Sequence, residues 1–296
     1  MKKKICFIIN PLSGSSRKEH YSDWINAGID KGIFEIDIVY TKAPGHATEL
    51  SREAASKNYY SVVAVGGDGS VNEVARGLMG YETALGIIPT GSGNGMARHL
   101  KIPVDFKRAL CLLNNSVIER IDTLSVNEHF GIGTFGIGFD AHIAHLFASA
   151  DKRGYSTYVK LVLKEFRSYP AYQYNLVIDG KNILVRSFLL TFANSSQFGN
   201  NAVIAPFADV KDGKIDISIV KKFPALASVN LIYKMMNNSL HKSRFFETFC
   251  GEHIVVNNSN EIKGHIDGEP LLFKGDIRVK INPLSLNVLI ENRSTI

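Results

Sequence analysis

The sequence predicts two domains of different class, an N-terminal α/β domain on a parallel sheet and a C-terminal all-β domain folded as an antiparallel sandwich. Three observations carry this. Up to about residue 125, continuous apolar strands alternate with helix-like segments, the pattern of a parallel sheet covered on both faces. From Asn127 the segments turn short and β-rich, separated by turn residues. Three of the N-terminal strands also run into Gly/Ser/Asn-rich loops at their carboxyl ends, the edge where open α/β sheets bind ligands. The expected division is 1–125 for a Rossmann-like first domain and 126–296 for the β-rich second, with 284–296 a candidate to pack back on the first.

Taken in order, Lys4 to Ile9 reads as the first strand, ending in Asn10-Pro11-Leu12-Ser13-Gly14. Its apolar run stops too soon for a signal-peptide core, and no small-residue cleavage site follows. A helix is expected around Glu19 to Gly28, a strand from Phe34 to Tyr40, a helix from Ala47 to Lys57 and a strand from Ser61 to Val65. Ser70 to Met79 reads as helix and Ala84 to Ile88 as strand, the latter ending in Pro89-Thr90-Gly91-Ser92-Gly93-Asn94, with a helix beginning near Gly95. In the second half, strands are expected at Tyr172 to Asp179, Ile183 to Phe192, Lys214 to Val220, Glu252 to Asn257 and Asp276 to Ile281. Helices are expected at Ser156 to Arg167 and Ala225 to Asn237.

Composition narrows the class. With 296 residues and 45% hydrophobic content, the chain can bury two ordinary cores. Disorder, collagen and disulfide scaffolds are excluded. Cys6, Cys111 and Cys250 are few, odd in number and far apart, which reads as reduced thiols in a cytoplasmic protein. No apolar run is long enough to span a bilayer. The net charge of +6 mildly favours an anionic partner, but no clustered basic stripe or nucleic-acid motif is present.

The chemistry centres on Gly66-Gly67-Asp68-Gly69-Ser70, between an apolar strand and a helix. Glycines let the backbone bend sharply and approach a ligand without a Cβ in the way. The N–H groups of such a turn, next to a helix N-terminus, form a phosphate site. A carboxylate inside it would repel phosphate unless a cation lies between, so Asp68 points to a magnesium nucleotide. Ser70-Val71-Asn72-Glu73 fits a capping box, in which Ser70 and Glu73 satisfy each other's backbone donors. The Walker pattern ending in Gly-Lys-Ser/Thr is absent. Gly131, Gly133 and Gly136 have dinucleotide-loop spacing but no βαβ unit around them, so they read as strand glycines beside a closely approaching backbone.

Three Asp-Gly pairs follow, first of all hairpin signals. Asp179-Gly180 is read as a turn. Asp212 has Asp209 three residues before it, and two carboxylates in a tight turn could hold a hard cation or simply be solvated. Asp267-Gly268-Glu269 reads equally as a turn and as a catalytic carboxylate. His142 and His145 could pair across one helical turn.

Together these residues resemble the diacylglycerol-kinase-type catalytic domain shared by bacterial lipid kinases, sphingosine kinases and ceramide kinases. The likeness runs over nearly the whole chain with the motifs in order. Asn10-Pro11 with Ser13-Gly14 resembles the first nucleotide loop, and Thr41 sits at the adenine-side contact. Gly66 through Glu73 is similar to the signature loop, and Pro89 through Asn94 to the third. Asp122 matches the acid at the domain junction. Asn194 and Gly199 through Pro206 resemble the glycine-rich connection. Asp209, Asp212 and the carbonyl of Lys214 fall where some bacterial members bind a structural magnesium. Asp267-Gly268-Glu269 matches the catalytic turn. One departure is Asn94-Gly95, where bacterial diacylglycerol kinases usually carry Asn-Asp. It removes an acid near the magnesium nucleotide and weakens an assignment to diacylglycerol.

The resemblance implies an ATP- and magnesium-dependent kinase of a lipid hydroxyl. The loops, with Asn10, Ser13 and Ser92, would bind phosphates, Asp68 and Asp122 would hold magnesium, Asp267 would accept the acceptor's proton, and Glu269 would orient the turn. A lipid acceptor implies peripheral contact with a membrane during turnover. Ser156 to Arg167, aromatic and apolar with interspersed Lys160, Lys164 and Arg167 after Lys152 and Arg153, is the sequence's candidate for it, against the reading of a helix packed on the sheet. A homodimer is left open. An NAD kinase, whose loop is similar, and a non-catalytic nucleotide- or lipid-binding regulator are the competing readings.

Overall fold

The computed structural model describes residues 2–13, 20–150 and 155–292. Gly14, Lys152 and Arg153 lie outside them. The chain forms two compact units, Met1–Ile121 with Leu284–Ile296, and Asp122–Pro283, against an expected boundary after residue 125.

The first unit is a parallel sheet. Strands β1 (Lys3–Ile9), β2 (Phe34–Tyr40), β3 (Ser61–Gly66) and β4 (Ala84–Pro89) lie in the order β2-β1-β3-β4, all parallel. The C-terminal part of a later strand adds to the β4 edge in parallel, with Val288 opposite Leu85. Helices α1 (Tyr21–Gly28), α2 (His46–Ser56), α3 (Asp68–Leu78), α4 (Gly95–His99) and α5 (Phe106–Asn114) supply the connections. Every residue of β3 and β4 is buried, as a sheet covered on both faces requires. Each fully buried Val, Ile or Leu there contributes about 1.5–3 kcal/mol.

The second unit is an antiparallel sandwich. Strands β5 (Ser116–Val126), β6 (His129–Gly131) and β7 (Thr134–Gly138) lead into it. Helices α6 (Phe139–Ala148) and α7 (Tyr155–Glu165) come next. The remaining strands are β8 (Tyr172–Ile178), β9 (Lys181–Ser187), β10 (Leu189–Ala193), β11 (Ile215–Val220), β12 (Phe246–Gly251), β13 (His253–Asn257), β14 (Glu261–Ile266), β15 (Glu269–Lys274) and β16 (Ile277–Glu291). Before β12 comes a 3₁₀ turn, Ala225–Ala227, followed by α8 (Ser228–Met236). One sheet runs β12-β11-β10-β7-β14-β15. Facing it, β9, β8, β13 and the start of β16 pair antiparallel. The core between them includes Phe135, Ile137, Phe192 and Ile217 from one sheet and Leu176, Ile254, Val256 and Val279 from the other.

Three local readings are corrected. Ile183 to Phe192 is not one strand: β9 and β10 belong to different sheets, and the chain crosses over at Phe188. The apolar run is continuous there because Phe188 is itself buried, stacked on Phe139. Helix α3 starts at Asp68 with Gly67 as its N-cap, so Ser70 lies within the first turn and no capping box forms. His142 and His145 do not pair. His142 Nε2 meets Glu165 Oε2 at 3.0 Å, and His145 Nε2 lies 3.1 Å from the carbonyls of Gly264 and Leu271.

Candidate active site

In the first unit, the loops after β1, β3 and β4 are laced together at the carboxyl edge of the sheet. Asn10 Nδ2 donates to Ser70 Oγ (3.1 Å), while Asn10 Oδ1 accepts the N–H of Leu12 (2.9 Å). Ser13 Oγ lies 2.9 Å from Thr90 Oγ1, linking the first loop to the third. Pro11 and Leu12 are exposed beyond this link. Thr41 follows β2, its N–H bonded to the carbonyl of Ile9 at 2.9 Å.

Asp68 connects the second loop to the third. Its Oδ2 accepts the N–H of Asn94 (2.8 Å) and its Oδ1 that of Gly95 (2.7 Å), so the carboxylate braces the start of α4. Asn94 is buried and left-handed (φ 55°), and its amide closes the loop by bonding both the N–H and the carbonyl of Gly91. Ser92, at the loop's tip, is exposed.

The backbones of the two loops nearly touch. A Cβ on Gly91 would stand 2.6 Å from the Cα of Gly67, and one on Gly67 would stand 3.3 Å from the Cα of Gly91. Gly66 is equally tight, since a Cβ there would overlap Ser70. The first N–H groups of α3, which have no partner within the helix, follow this close approach. Such a cradle fits a phosphate group.

Glu73, grouped with these loops from sequence, serves another element. Its carboxylate accepts the N–H groups of Gly45 (2.9 Å) and Ala47 (3.2 Å), capping α2, whose own N-cap is a glycine. Asn72 is half-buried on α3.

In the second unit, Asp267 and Gly268 form the two-residue turn between β14 and β15, both with positive φ (50° and 88°). This is the type I′ geometry that favours Asp-Gly in hairpins. The Asp267 carboxylate folds back onto the backbone before β7. Its Oδ2 accepts the N–H of Ile132, and its Oδ1 those of Gly133 and Thr134, all at 2.8 Å. The glycine spacing is explained here. A Cβ on Gly133 would lie 2.8 Å from Asp267 Oδ1, and one on Gly131 2.8 Å from Ile266 Cγ2. A Cβ on Gly136 would overlap both Asp140 and His265. The glycines thus make room for side chains, not for the backbone the sequence suggested.

Asp140 and His265 were not singled out as a pair, yet they brace the turn. His265 Nδ1 accepts the N–H of Gly268 (3.3 Å), which leaves the proton on Nε2 to be donated to Asp140 Oδ2 (3.2 Å). Thr191 Oγ1 and the N–H of Ala141 also bond that carboxylate. Both members of the pair are buried. The only hint in the sequence is Gly136, the small residue that admits them. Glu269 is exposed at the start of β15 and has no side-chain partner among the described residues, so the turn is held by His265 and not by Glu269.

Asp122 is fully buried. Its Oδ2 accepts the N–H of Gly213 (2.8 Å), and its own N–H bonds the carbonyl of Val210 (2.7 Å). It therefore anchors the Asp209–Lys214 turn. Asn194, also fully buried, donates to the carbonyls of Asp122 (2.8 Å) and Ile132 (2.9 Å), tying that anchor to the segment that binds Asp267. Asp209 Oδ1 accepts from Lys211 N–H and Asp212 Oδ1 from Lys214 N–H, closing the turn on itself. Nearby Asp216 has its pKa raised to about 6, by burial first and then by the charge of Asp212. Among the described residues, no three His, Cys, Asp or Glu side chains are arranged to hold a metal ion. Asp209 and Asp212 are two carboxylates in one turn, short of such a three-side-chain cage, and with the carbonyl of Lys214 they stay the candidate ligands for a structural magnesium. Magnesium carried by a nucleotide needs none, since it keeps several waters and takes one or two carboxylates plus phosphates.

Residues 4–126 match the diacylglycerol kinase catalytic domain, and residues 133–290 the YegS C-terminal NAD kinase beta sandwich-like domain. The chain belongs to this diacylglycerol-kinase-type lipid kinase family. Among its relatives, the "Probable lipid kinase YegS-like" of Chromohalobacter salexigens is 30% identical, covering 82% of this chain and 79% of that one. The diacylglycerol kinase of Bacillus subtilis is 27% identical, covering 90% of each. The same fold is seen in the crystal structure of a diacylglycerol kinase from Bacillus anthracis, with a TM-score of 0.74 at 20% identity, over 99% of this chain and 98% of that one. No described helix of this family member is long and apolar enough to cross a membrane.

Proposed function

We propose that this kinase transfers the γ-phosphoryl group of ATP to a hydroxyl of a lipid, either a sphingoid base, diacylglycerol or a related acceptor. The observation that carries the reading is the Asp267 turn. A carboxylate held by three backbone N–H groups, on a hairpin braced by a buried Asp–His pair, is an oriented group suited to proton transfer. Phosphoryl transfer asks the protein for positioning, charge stabilisation and a proton acceptor. The first unit supplies backbone donors for the phosphates, with Asn10, Ser13 and Ser92 as added contacts. In the second unit, Asp267 accepts the proton from the lipid hydroxyl as its oxygen bonds to phosphorus and the bond to ADP breaks. Magnesium bound with ATP supplies charge neutralisation at the transferring group. Asp68 acts by holding the third loop in register with the second.

The test is ATP phosphoryl transfer against sphingoid bases, diacylglycerols and ceramide in mixed micelles, with NAD as the soluble acceptor. Label in a lipid product is expected. The sandwich's match to an NAD kinase-like domain makes NAD the informative alternative, and labelled NADP alone would overturn the lipid reading. No transfer to any acceptor would favour a regulator.

A further inference from the structure

The apolar face that the sequence placed on α7 is largely spent on the core. Leu161, Val162 and Phe166 pack against Phe139, Ile143 and Phe188. The unpartnered apolar face lies elsewhere in the second unit, on the Ala225–Ala227 turn and α8. Leu226 is 96% exposed, Val229 75% and Tyr233 66%, with Ile232 and Met236 also exposed. At 3.6 residues per turn, the four of these on α8 fall within an arc of about 100°, and Leu226 precedes them on the 3₁₀ turn. On the opposite side of the helix, Leu231 and Met235 pack into a small core with Ile204, Val220 and Leu240. The helix is therefore docked along one side and apolar again on its outward side. Single exposed apolar residues need no explanation, but a contiguous outward stripe does.

Charge indicates what covers it. Between residues 217 and 246 there are five Lys and Arg and no Asp or Glu. Three of these cations are engaged: Lys221 pairs with Glu247, Lys222 donates to the carbonyls of Phe166 and Tyr169, and Lys234 donates to that of Lys242. Lys234, Lys242 and Arg244 have no acidic partner among the described residues, and with Asn230, Leu231 and Ser243 they line a cavity of about 300 Å³ beside α8. The cations lie on one flank of the helix, around the cavity that Leu231 also lines, and Lys242 and Arg244 among them have no ion-pair partner in the described residues; an apolar stripe with such a basic flank is complementary to a bilayer bearing anionic phospholipid. There the apolar side chains enter the headgroup–acyl boundary and the cations meet phosphates.

We infer that Ala225–Met236, with Lys234, Lys242 and Arg244, is the surface by which the protein docks on anionic phospholipid bilayers. The inference rests on the lipid-acceptor reading, because it explains how the enzyme reaches a substrate that does not leave the membrane. It does not depend on α7.

Co-sedimentation of the full chain with phosphatidylcholine vesicles, with and without phosphatidylglycerol, tests it. The parent protein should bind vesicles containing phosphatidylglycerol at least tenfold more strongly than neutral ones. Lys242→Glu/Arg244→Glu should abolish that preference. Leu226→Gln/Val229→Gln should reduce binding at least tenfold, while Leu163→Gln on α7 changes it less than twofold. Thermal melting shows that each variant is folded, and because Leu226 and Val229 are exposed their replacement leaves the core intact. Equal binding of parent and Leu226→Gln/Val229→Gln overturns the inference, as does a parent with no preference for anionic vesicles. So does conversion of a dimer to a monomer by Leu226→Gln/Val229→Gln with vesicle binding unchanged, which would make a second copy the occupant. Transfer to a short-chain, monomeric lipid separates this surface from the catalytic reading. It should persist in all the variants, and its absence in a parent that binds vesicles would count against the kinase and not the surface.

Discussion

Replacing Gly91 by alanine tests the phosphate cradle at its tightest point. The added methyl would stand 2.6 Å from the Cα of Gly67 and 2.9 Å from Asn94 Oδ1. Ordinary carbon contacts begin near 3.5 Å, so the loops must separate by about 1 Å. Neither side yields easily. Gly67 is the N-cap of α3, and Asn94 is pinned by two bonds to Gly91. Overpacking of this kind costs about 1–3 kcal/mol of stability. A displacement of 1 Å at a positioning element can cost about a hundredfold in rate. Calorimetric titration with ATP should show at least tenfold weaker binding, alongside a lower urea midpoint. Parental affinity together with parental stability would refute the claim that these two loops form one cradle.

Three further predictions concern elements around the site. Glu73→Ala removes the acceptor for the N–H groups of Gly45 and Ala47 and should cost about 1 kcal/mol in urea unfolding, as helix caps do, while ATP affinity changes less than twofold. A large loss of nucleotide binding would instead place Glu73 among the nucleotide ligands. His265→Ala strands the Gly268 N–H and the Asp140 carboxylate. It should destabilise by about 2–4 kcal/mol and lower kcat more than ATP affinity, with His265→Gln recovering part of both. Burial pushes the Cys6 thiol up to about 12, so it stays protonated at pH 8, while Cys111 and Cys250 are exposed. Native thiol titration at that pH should therefore count two fast groups, and the third should react only on unfolding.

Sequence and structure agree best where the cause is local. The apolar strands β1 to β4 and the loops that end them are periodic and punctuated, so the sheet and its ligand edge were readable. What was not readable is mostly long-range. Nothing around Asp68 shows that its partners are Asn94 and Gly95, twenty-six and twenty-seven positions on. The capping-box pattern at Ser70 to Glu73 matched because it describes only four residues, whereas the true cap, Gly67, and the true target of Glu73, the start of α2, depend on packing. Asp267 looked like an ordinary hairpin residue until the family pattern distinguished it. Its partnership with Gly133 lies about 134 residues back, recorded only as a glycine spacing that a dinucleotide loop shares. Phe188 hid a change of sheet because a residue buried at the crossover is as apolar as one in a strand.

The most direct test of the account is Asp267→Asn, assayed with ATP and whichever lipid the parent phosphorylates. The amide keeps the shape of the carboxylate but places a donor against the Ile132 N–H and removes the proton acceptor. Turnover should fall by about a hundred- to ten-thousand-fold while ATP affinity is held within a few-fold. A folded Asp267→Asn protein that turns over at the parental rate would contradict the account.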